Sequence, residues 1–340
     1  MQRLVVCTFL VTVAAVGGIL SNGSAEPNRS PAANQQAADG PKHRTFKLTY
    51  GATLTGLAEG DDVRVWLPVP QSNQHQSVRN LNTPLPVTGK TAVDAEYGNK
   101  IVFFESKAPS TGLLAFSTQY EIRRNEVRSL DGKGAKVALT DAQRKRFLSA
   151  NVKVPVAGKQ LDLLEGTSFD DDPLTIARTL YDRVDEHVKY DKSVPGYGNG
   201  DVAWVCDSRT GNCTDFHSLF ISWARSKELP ARFEIGFPLP PERGAGTIGG
   251  YHCWAMFHTG DKGWVPVDIS EADKHPELKE YYFGNLTENR VAFSTGRDIT
   301  LVPKQAGPPL NYFVYPYVEV NGKPLSRDQI KLRFAFEDQQ

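Results

Sequence analysis

The chain carries a cysteine at the start of an apolar helix, in the segment Gly211-Asn212-Cys213-Thr214-Asp215-Phe216-His217-Ser218-Leu219-Phe220. Asn212 is a favourable N-cap, and the apolar residues after it recur at helical spacing, so a core helix is predicted from Cys213 to about Lys227. Cys213 shares the buried stripe of this helix with Phe216. Unpaired N–H groups and the helix dipole at such a position stabilise a thiolate. The segment therefore predicts a rigidly held nucleophile, with an inert core cysteine as the alternative.

Two strand-like runs further along the chain supply an imidazole and a carboxylate. They run from Tyr251 to His258 and from Trp264 to Ile269, and they flank the turn Thr259-Gly260-Asp261-Lys262-Gly263. If the residues next to the turn pair, His252 and Asp268 become diagonal neighbours on one face, with Cα atoms about 7–8 Å apart. That spacing permits a hydrogen bond that orients the imidazole towards Cys213, and Trp254 on the same face would shield the pair from water. A surface His–Asp pair is the alternative.

Four runs in this region resemble the transglutaminase-like superfamily, at 211–220, 229–237, 251–255 and 263–268. The resemblance covers about residues 165–300. It implies an α+β fold with a papain-like core, in which the nucleophile helix packs on an antiparallel sheet. It also implies that Cys213 is the nucleophile, His252 the general base and acid, and Asp268 the orienting carboxylate.

Backbone and aromatic groups complete the predicted site. The oxyanion hole is expected to use the backbone N–H of Cys213. A second donor is sought in Trp204 or Tyr190, both of which are also explained as core aromatics. The candidates for aromatic walls around the site are Trp204, Trp254, Tyr197 and Tyr251.

A metal site is the competing interpretation of the same residues. Cys213, His217 and His252 are suitable zinc ligands. Strand alternation sends Cys253 to the face opposite His252, which removes the obvious fourth ligand. We therefore expect neither a metal nor another cofactor, and no acidic cluster indicates a calcium site. Cys253 is a candidate for a disulfide with Cys206, which sequence spacing does not establish.

The N-terminus has the pattern of an export signal. Arg3 precedes an apolar run at 4–20, and Gly23-Ser24-Ala25 offers small residues for cleavage. A signal peptide of about residues 1–25 predicts an exported protein, periplasmic or secreted, and a retained N-terminal anchor is the alternative. Three cysteines remain after such cleavage, so at least one is free or is paired with another molecule.

Composition and patterning predict the organisation of the rest of the chain. We expect a disordered tether at 26–43, a β-sandwich-like domain at 44–135, the catalytic domain at 136–300 and further strands at 301–340. The formal net charge of the chain is zero, with scattered Lys and Arg, which disfavours a nucleic-acid surface. The expected partner is a protein or peptide substrate.

The chemistry expected from such a triad is acyl transfer through a thioester. Attack by water would make a peptidase or amidase that acts on peptide or side-chain amide bonds, and this reaction is favoured. Attack by a lysine amine would make a cross-linking protein-glutamine γ-glutamyltransferase. A non-catalytic binding module is the third possibility, although all three triad positions are filled.

Overall fold

The computed structural model describes residues 40–132 and 138–339. The predicted signal peptide at 1–25 and most of the predicted tether at 26–43 lie outside these residues. Pro41–Gln340 form one compact unit. Each helix among the described residues is too short or too polar to span a bilayer.

Strands make up most of the regular structure. In chain order they are β1 His43–Leu54, β2 Asp62–Val69, β3 Gln76–Asn82, β4 Lys90–Val93, β5 Lys100–Lys107, β6 Leu114–Asn125, β7 Val127–Arg128, β8 Lys189–Tyr190, β9 Thr210–Gly211, β10 Ala231–Pro238, β11 Ala245–Thr247, β12 His252–Thr259, β13 Gly263–Val267, β14 Asn285–Leu286, β15 Arg290–Thr295, β16 Tyr317–Val320, β17 Lys323–Pro324 and β18 Ile330–Asp338. The α-helices are α1 Asp141–Leu148, α2 Pro173–His187, α3 Val202–Ser208, α4 Cys213–Ser226 and α5 Ile269–Lys274.

Two five-stranded sheets form the sandwich expected from the alternating N-terminal sequence. Their orders are β11-β18-β1-β6-β3 and β17-β16-β2-β5-β4. Phe104 of one sheet meets Phe116 of the other edge-to-face, with ring centroids 5.5 Å apart, in a shared buried core. β18 pairs with β1 and β16 pairs with β2, so strands from the C-terminal end of the chain complete both sheets. The α+β class expected from the sequence is confirmed.

A four-stranded antiparallel sheet, β13-β12-β10-β15, supports the helices. α4 packs on β12 and β10, while α2, α3 and α5 pack around it. Every residue of α4 from Cys213 to Arg225 is buried, because the sheet covers one side and helices cover the others. This helix is therefore the centre of its half of the molecule.

The predicted hairpin forms in the expected register. His258 lies opposite Trp264, and the ladder ends where Ala255 pairs with Val267. The predicted second strand ran to Ile269, and this was wrong by two residues, because Asp268 is the N-cap of α5. The pattern Asp-x-x-Glu at 268–271 was the sequence signal for this cap.

Cap and turn residues elsewhere adopt the conformations that their residue types favour. Thr140 forms a capping box with Gln143 at the start of α1, and Asp172 caps α2 ahead of Pro173. β16 and β17 are joined by Asn321-Gly322, with positive φ at both residues (49° and 74°), as the two-residue turn requires.

Candidate active site

Cys213 is the first residue of α4, and only 3% of it is exposed. Asn212 caps the helix, since its Oδ1 accepts the Thr214 N–H at 2.8 Å. The backbone N–H of Cys213 itself has no acceptor among the described residues. A free donor therefore lies beside the thiol at the helix N-terminus.

A buried carboxylate ties the preceding loop to this helix. Asp215 accepts the backbone N–H of Gly198 at 2.6 Å, of Gly200 at 2.8 Å and of Asn212 at 2.8 Å. Gly211 passes so close that an added Cβ would lie 2.4–2.7 Å from three side-chain atoms of Asp215. Glycine at this position therefore allows the approach that holds Cys213 in place.

His252 and Asp268 form the predicted hydrogen bond, with Nε2 2.7 Å from Oδ2. The same oxygen accepts Nη1 of Arg290 at 2.9 Å, while Oδ1 accepts the Ser270 hydroxyl and the Glu271 N–H, each at 3.2 Å. Burial favours the neutral acid, but the charges of His252 and Arg290 hold the pKa of Asp268 well below its usual range. Asp268 is therefore a buried, ionised acceptor with four donors.

The imidazole also contacts the thiol of Cys213. Nε2 of His252 is bound to Asp268, so the other ring nitrogen is left for the hydrogen bond with Cys213. Burial opposes the charged forms, but Asp268 and Cys213 raise the pKa of His252 to about 10. Burial also disfavours the thiolate, yet hydrogen bonds from Cys253 and His252 hold the pKa of Cys213 well below its ordinary value. The pair is thus a thiolate and an imidazolium.

A second thiol lies against the first, which the sequence did not indicate. Strand alternation places Cys253 on the side of β12 opposite Trp254, as predicted, but the expectation that this takes it away from the other candidate ligands was wrong, because that side packs on α4 beside Cys213 and His217. The Sγ of Cys253 lies 3.7 Å from Thr214 Oγ1 and 3.8 Å from His217 Nδ1, and within hydrogen-bonding range of Cys213. Burial raises the pKa of Cys253 well above its ordinary value, so it stays protonated.

The described cysteines are all free. Cys206 is half-buried on α3, whereas Cys253 lies under α4. The considered disulfide between Cys206 and Cys253 is therefore absent from the structure.

His217 serves packing rather than metal binding. Its Nε2 accepts the Ile269 N–H at 3.1 Å, and the imidazole also bonds the backbone of Cys213 one turn earlier. Burial lowers the pKa of His217 to about 4, so the ring is neutral. The 3.8 Å separation of its Nε2 from Asp268 is too long for a hydrogen bond. The set Cys213, His217 and His252 considered for zinc is therefore committed to other bonds.

His252, Asp268 and Glu271 form a group with potential metal-ligating atoms within 4.8 Å of one another. His252 Nε2 is already bound to Asp268, and Glu271 is paired with Lys274. These partners satisfy the group without an ion.

The aromatic candidates differ in their surroundings. Trp254 donates its indole N–H to Glu234 at 2.9 Å, and its ring centroid is 6.2 Å from that of His252, so it is a wall and not an oxyanion donor. Trp204 packs on Gly196 of the upstream loop. Tyr190 pairs with Gly211 in the short β8–β9 ladder; burial and the nearby Cys213 charge raise its pKa, which keeps the phenol protonated.

Three tyrosines cluster on the other side of the thiol. The hydroxyl of Tyr251 lies 2.7 Å from Thr214 Oγ1 and 3.1 Å from Asn212 Nδ2. The ring centroid of Tyr251 is 5.3 Å from that of Tyr312 and 5.9 Å from that of Tyr315. Tyr312 and Tyr315 were not predicted, since they lie some sixty residues downstream with no local motif. Tyr197, a predicted wall residue, is 40% exposed.

Comparisons with known proteins agree with this architecture. Residues 162–269 match the model of the transglutaminase-like superfamily, against an expected span of about 165–300. A Haemophilus influenzae protein, named only as uncharacterized, is 27% identical and covers 83% of this chain and 86% of its own. The crystal structure of a candidate cysteine protease from Cytophaga hutchinsonii shares the fold, with a TM-score of 0.54 at 15% identity over 88% of this chain and 98% of that one. The periplasmic domain of TgpA from Pseudomonas aeruginosa aligns over 70% of this chain and 90% of its own at 16% identity, with a TM-score of 0.36.

Proposed function

We propose that this chain is a cysteine hydrolase of peptide or side-chain amide bonds, because residues 162–269 match the model of the transglutaminase-like superfamily. In this proposal Cys213 is the nucleophile, His252 the general base and acid, and Asp268 the residue that orients the imidazole. The observation that carries it is the buried, continuous line from thiolate to imidazolium to carboxylate.

The proposed reaction has two half-reactions. The Cys213 thiolate attacks the carbonyl carbon, and the oxyanion that forms is stabilised by the free N–H of Cys213. His252 then gives its proton to the leaving amine, the C–N bond breaks, and a thioester remains. In the second half, neutral His252 takes a proton from water, the hydroxide attacks the thioester, and the acid product leaves the regenerated thiolate.

Tyr190 is the better supported second oxyanion donor. Its phenol stays protonated because burial and the negative charge of the nearby Cys213 raise the pKa of Tyr190, whereas the N–H of Trp254 is already donated to Glu234. Replacement by phenylalanine would keep the ring and remove the donor. We expect Tyr190→Phe to lower the hydrolysis rate about tenfold to a hundredfold while Cys213 remains reactive.

Protein cross-linking is the second candidate function. The packing of Tyr251 against Tyr312 and Tyr315 beside Thr214 is the specific observation that favours it, because an aromatic wall favours an amine over water as acceptor. The two reactions share every step up to the thioester. Incubating a glutamine peptide with the protein, with and without a primary amine, separates them by whether glutamate or the amide accumulates.

Export of the chain is part of the proposal. It rests on the apolar N-terminal segment with its small-residue cleavage site, and it places the enzyme where secreted or envelope proteins and peptides are the substrates. Mass spectrometry of the chain recovered from expressing cells, expected to begin near Glu26, checks it.

The first test of the catalytic proposal is alkylation with iodoacetamide between pH 4 and 9, with mass spectrometry to locate the labelled cysteine. An ordinary thiol titrates near about pH 8.5, so we expect Cys213 to label at pH 6 or below. Cys206, whose pKa burial raises to about 11, is an internal reference thiol. We expect His252→Ala to abolish the low-pH labelling.

The outcomes are distinct. Labelling of Cys213 only above pH 8 would exclude the ion pair and favour a binding module. Low-pH labelling without turnover of amide substrates would leave the thiolate in place and contradict hydrolysis. A Cys213→Ala variant that still turns over substrate would contradict the assignment of the nucleophile.

A further inference from the structure

A buried arginine from the far edge strand of the same sheet contacts the proposed orienting carboxylate. Arg290 begins β15, at the edge of the sheet that carries His252, and is 3% exposed. Its Nη1 donates to Asp268 Oδ2 at 2.9 Å, and among the described residues this is the one hydrogen bond that its side chain makes. Its Nε is buried and has no acceptor among those residues.

This arrangement is a poor device for stability. A buried ion pair loses the hydration of both partners, and Coulomb attraction repays that loss only when the remaining donors are satisfied. Here Nε of Arg290 is not satisfied. The position of the guanidinium is explained better by what it does to Asp268.

The contact restricts the orientation of the Asp268 carboxylate relative to the imidazole of His252. Oδ2 receives both Arg290 Nη1 at 2.9 Å and His252 Nε2 at 2.7 Å, while Oδ1 is held by donors of α5. The plane of the carboxylate is therefore fixed from both ends. Trp254 supports the same geometry, since the Arg290 guanidinium lies 5.1 Å from its ring centroid and the His252 ring 6.2 Å from it.

The guanidinium also balances the charge of the site. Thiolate, imidazolium, carboxylate and guanidinium sum to zero. Without Arg290 the site would carry one net negative charge in a low-dielectric interior, which disfavours the Cys213 thiolate and favours the His252 imidazolium.

Other groups that face Asp268 do not replace this cation. They are His217 of α4, Tyr181 of α2, Tyr282 ahead of β14 and Glu271 of α5. The pKa of His217 is lowered to about 4 by burial, and burial raises the pKa of Tyr282 to about 12 and that of Tyr181 still further, so these three are neutral near pH 7. Glu271 is an acid paired with Lys274.

We propose that Arg290 is a positioning residue of the reaction, which holds Asp268 oriented towards His252 and supplies the positive charge that lets Cys213 ionise. This inference rests on the proposed function. It assigns Arg290 no contact with substrate.

The test compares Arg290→Gln, which removes the charge but keeps an amide N–H that can donate to Asp268, with Arg290→Lys, which keeps the charge. The readouts are the pH dependence of Cys213 alkylation and the pKa of His252 followed by NMR of labelled imidazole. For Arg290→Gln we expect the acid limb of the plot of Cys213 alkylation rate against pH to move up by about one pH unit, so that labelling at a given pH on this limb falls tenfold. We also expect the pKa of His252 to rise. Arg290→Lys should restore at least half of the alkylation shift.

A purely structural role for Arg290 predicts the opposite change in the pKa of His252. If loss of Arg290 merely loosened the site, His252 would separate from Asp268 and its pKa would fall towards the ordinary value of 6.5. Arg225→Met is the control, because Arg225 is also buried and its guanidinium bonds Ser149, Asn151 and Ala231 near the C-terminal end of α4. It should lower stability and leave both readouts unchanged.

The outcomes separate this inference from the proposed function. If the wild-type protein shows no low-pH labelling of Cys213, the proposed function fails. If it does, and folded Arg290→Gln has the wild-type profile, the inference about Arg290 is wrong. Should Arg290→Gln not fold, Arg290→Lys decides: a tenfold fall in turnover with an unmoved alkylation limb supports positioning, and unchanged turnover overturns it.

Discussion

Single side chains around Cys213 set its acidity through hydrogen bonds as well as charge. Cys253 is notable because it is neutral and still favours the thiolate: its own pKa is raised by burial, so it keeps the proton that it donates. The neighbouring Thr214 and His217 hold its sulfur within 3.7–3.8 Å. The thiol of Cys253 thus has a defined place beside Cys213.

Replacement of Cys253 by alanine should therefore weaken the nucleophile without touching the imidazole. A hydrogen bond to a charged acceptor contributes about 1.5–3 kcal/mol, so we expect the acid limb of Cys213 alkylation to move up by roughly one to two pH units. Alkylation rates across pH 4–9 measure this. Cys206→Ala, on α3, is the control and should leave the limb in place; an equal limb in both variants would contradict the role of Cys253.

At the level of elements, the site depends on the first turn of α4 and on the short β8–β9 ladder that precedes it. Gly211 ends β9 directly under the Asp215 carboxylate, which holds three backbone N–H groups of the loop and cap. A side chain at 211 would displace the acid that fixes the position of Cys213.

Gly211→Ala should cost about 1–3 kcal/mol of unfolding free energy, because its Cβ meets Asp215 at 2.4–2.7 Å. We also expect slower alkylation of Cys213 at pH 6. Urea denaturation and alkylation rates measure the two effects. Gly249→Ala is the matched control, since a Cβ there meets nothing within 4 Å; similar losses in the two variants would show that steric contact with Asp215 is not the cause.

For the molecule as a whole, the two ends of the described chain meet in one sheet. β1 lies between β6 and β18, and the side chain of Arg44, only 1% exposed, pairs with Asp338 at 2.7 Å. The segment between the C-terminal strands and β15 brings Tyr312 and Tyr315 to the site. The sandwich and the proposed catalytic core are therefore not independent.

The free energy of unfolding should have a plateau in pH that follows from the buried histidines. His252 has a raised pKa, so its contribution is complete below 6.5 and is lost as pH rises through about 10. Cys213 has a depressed pKa, so its contribution is complete above 9.0 and is lost as pH falls. Between pH 6.5 and 9.0 the pair holds one proton in both states, on His252 in the folded chain and on Cys213 in the unfolded chain. The two contributions to the free energy of unfolding therefore change in opposite directions over this range and largely cancel.

On the acid side, His217 contributes to the expected loss together with His75, because burial lowers the pKa of each to about 4. His217 is buried neutral, so the unfolded chain takes up its proton as pH falls from 6.5 towards about 4. We expect up to about 2 kcal/mol of stability to be lost there on this account. Urea denaturation from pH 4.5 to 10 checks the profile, and His217→Gln should flatten its acid side. An unchanged acid slope in that variant would contradict the assignment.

Local patterns predicted the elements that bear the site. The Asn212 cap and the apolar spacing placed the start of α4 at Cys213, and the turn at 259–263 placed His252 in register for Asp268. Caps, turns and periodicities depend on residues a few positions apart, so they can be recognised in a single sequence. The strand that was extended to Ile269 failed because a cap signal within the same segment was overlooked.

The sequence by itself thus determined the α+β class, the helix that begins at Cys213 and the hairpin that carries His252. Only the tertiary structure decided which side chains surround them: Arg290 against Asp268, Cys253 against Cys213, and Tyr312 and Tyr315 against Tyr251. These contacts join residues that lie on different elements or far apart in the chain. Their geometry depends on how sheets and helices pack around a common core, and no short-range periodicity records that packing.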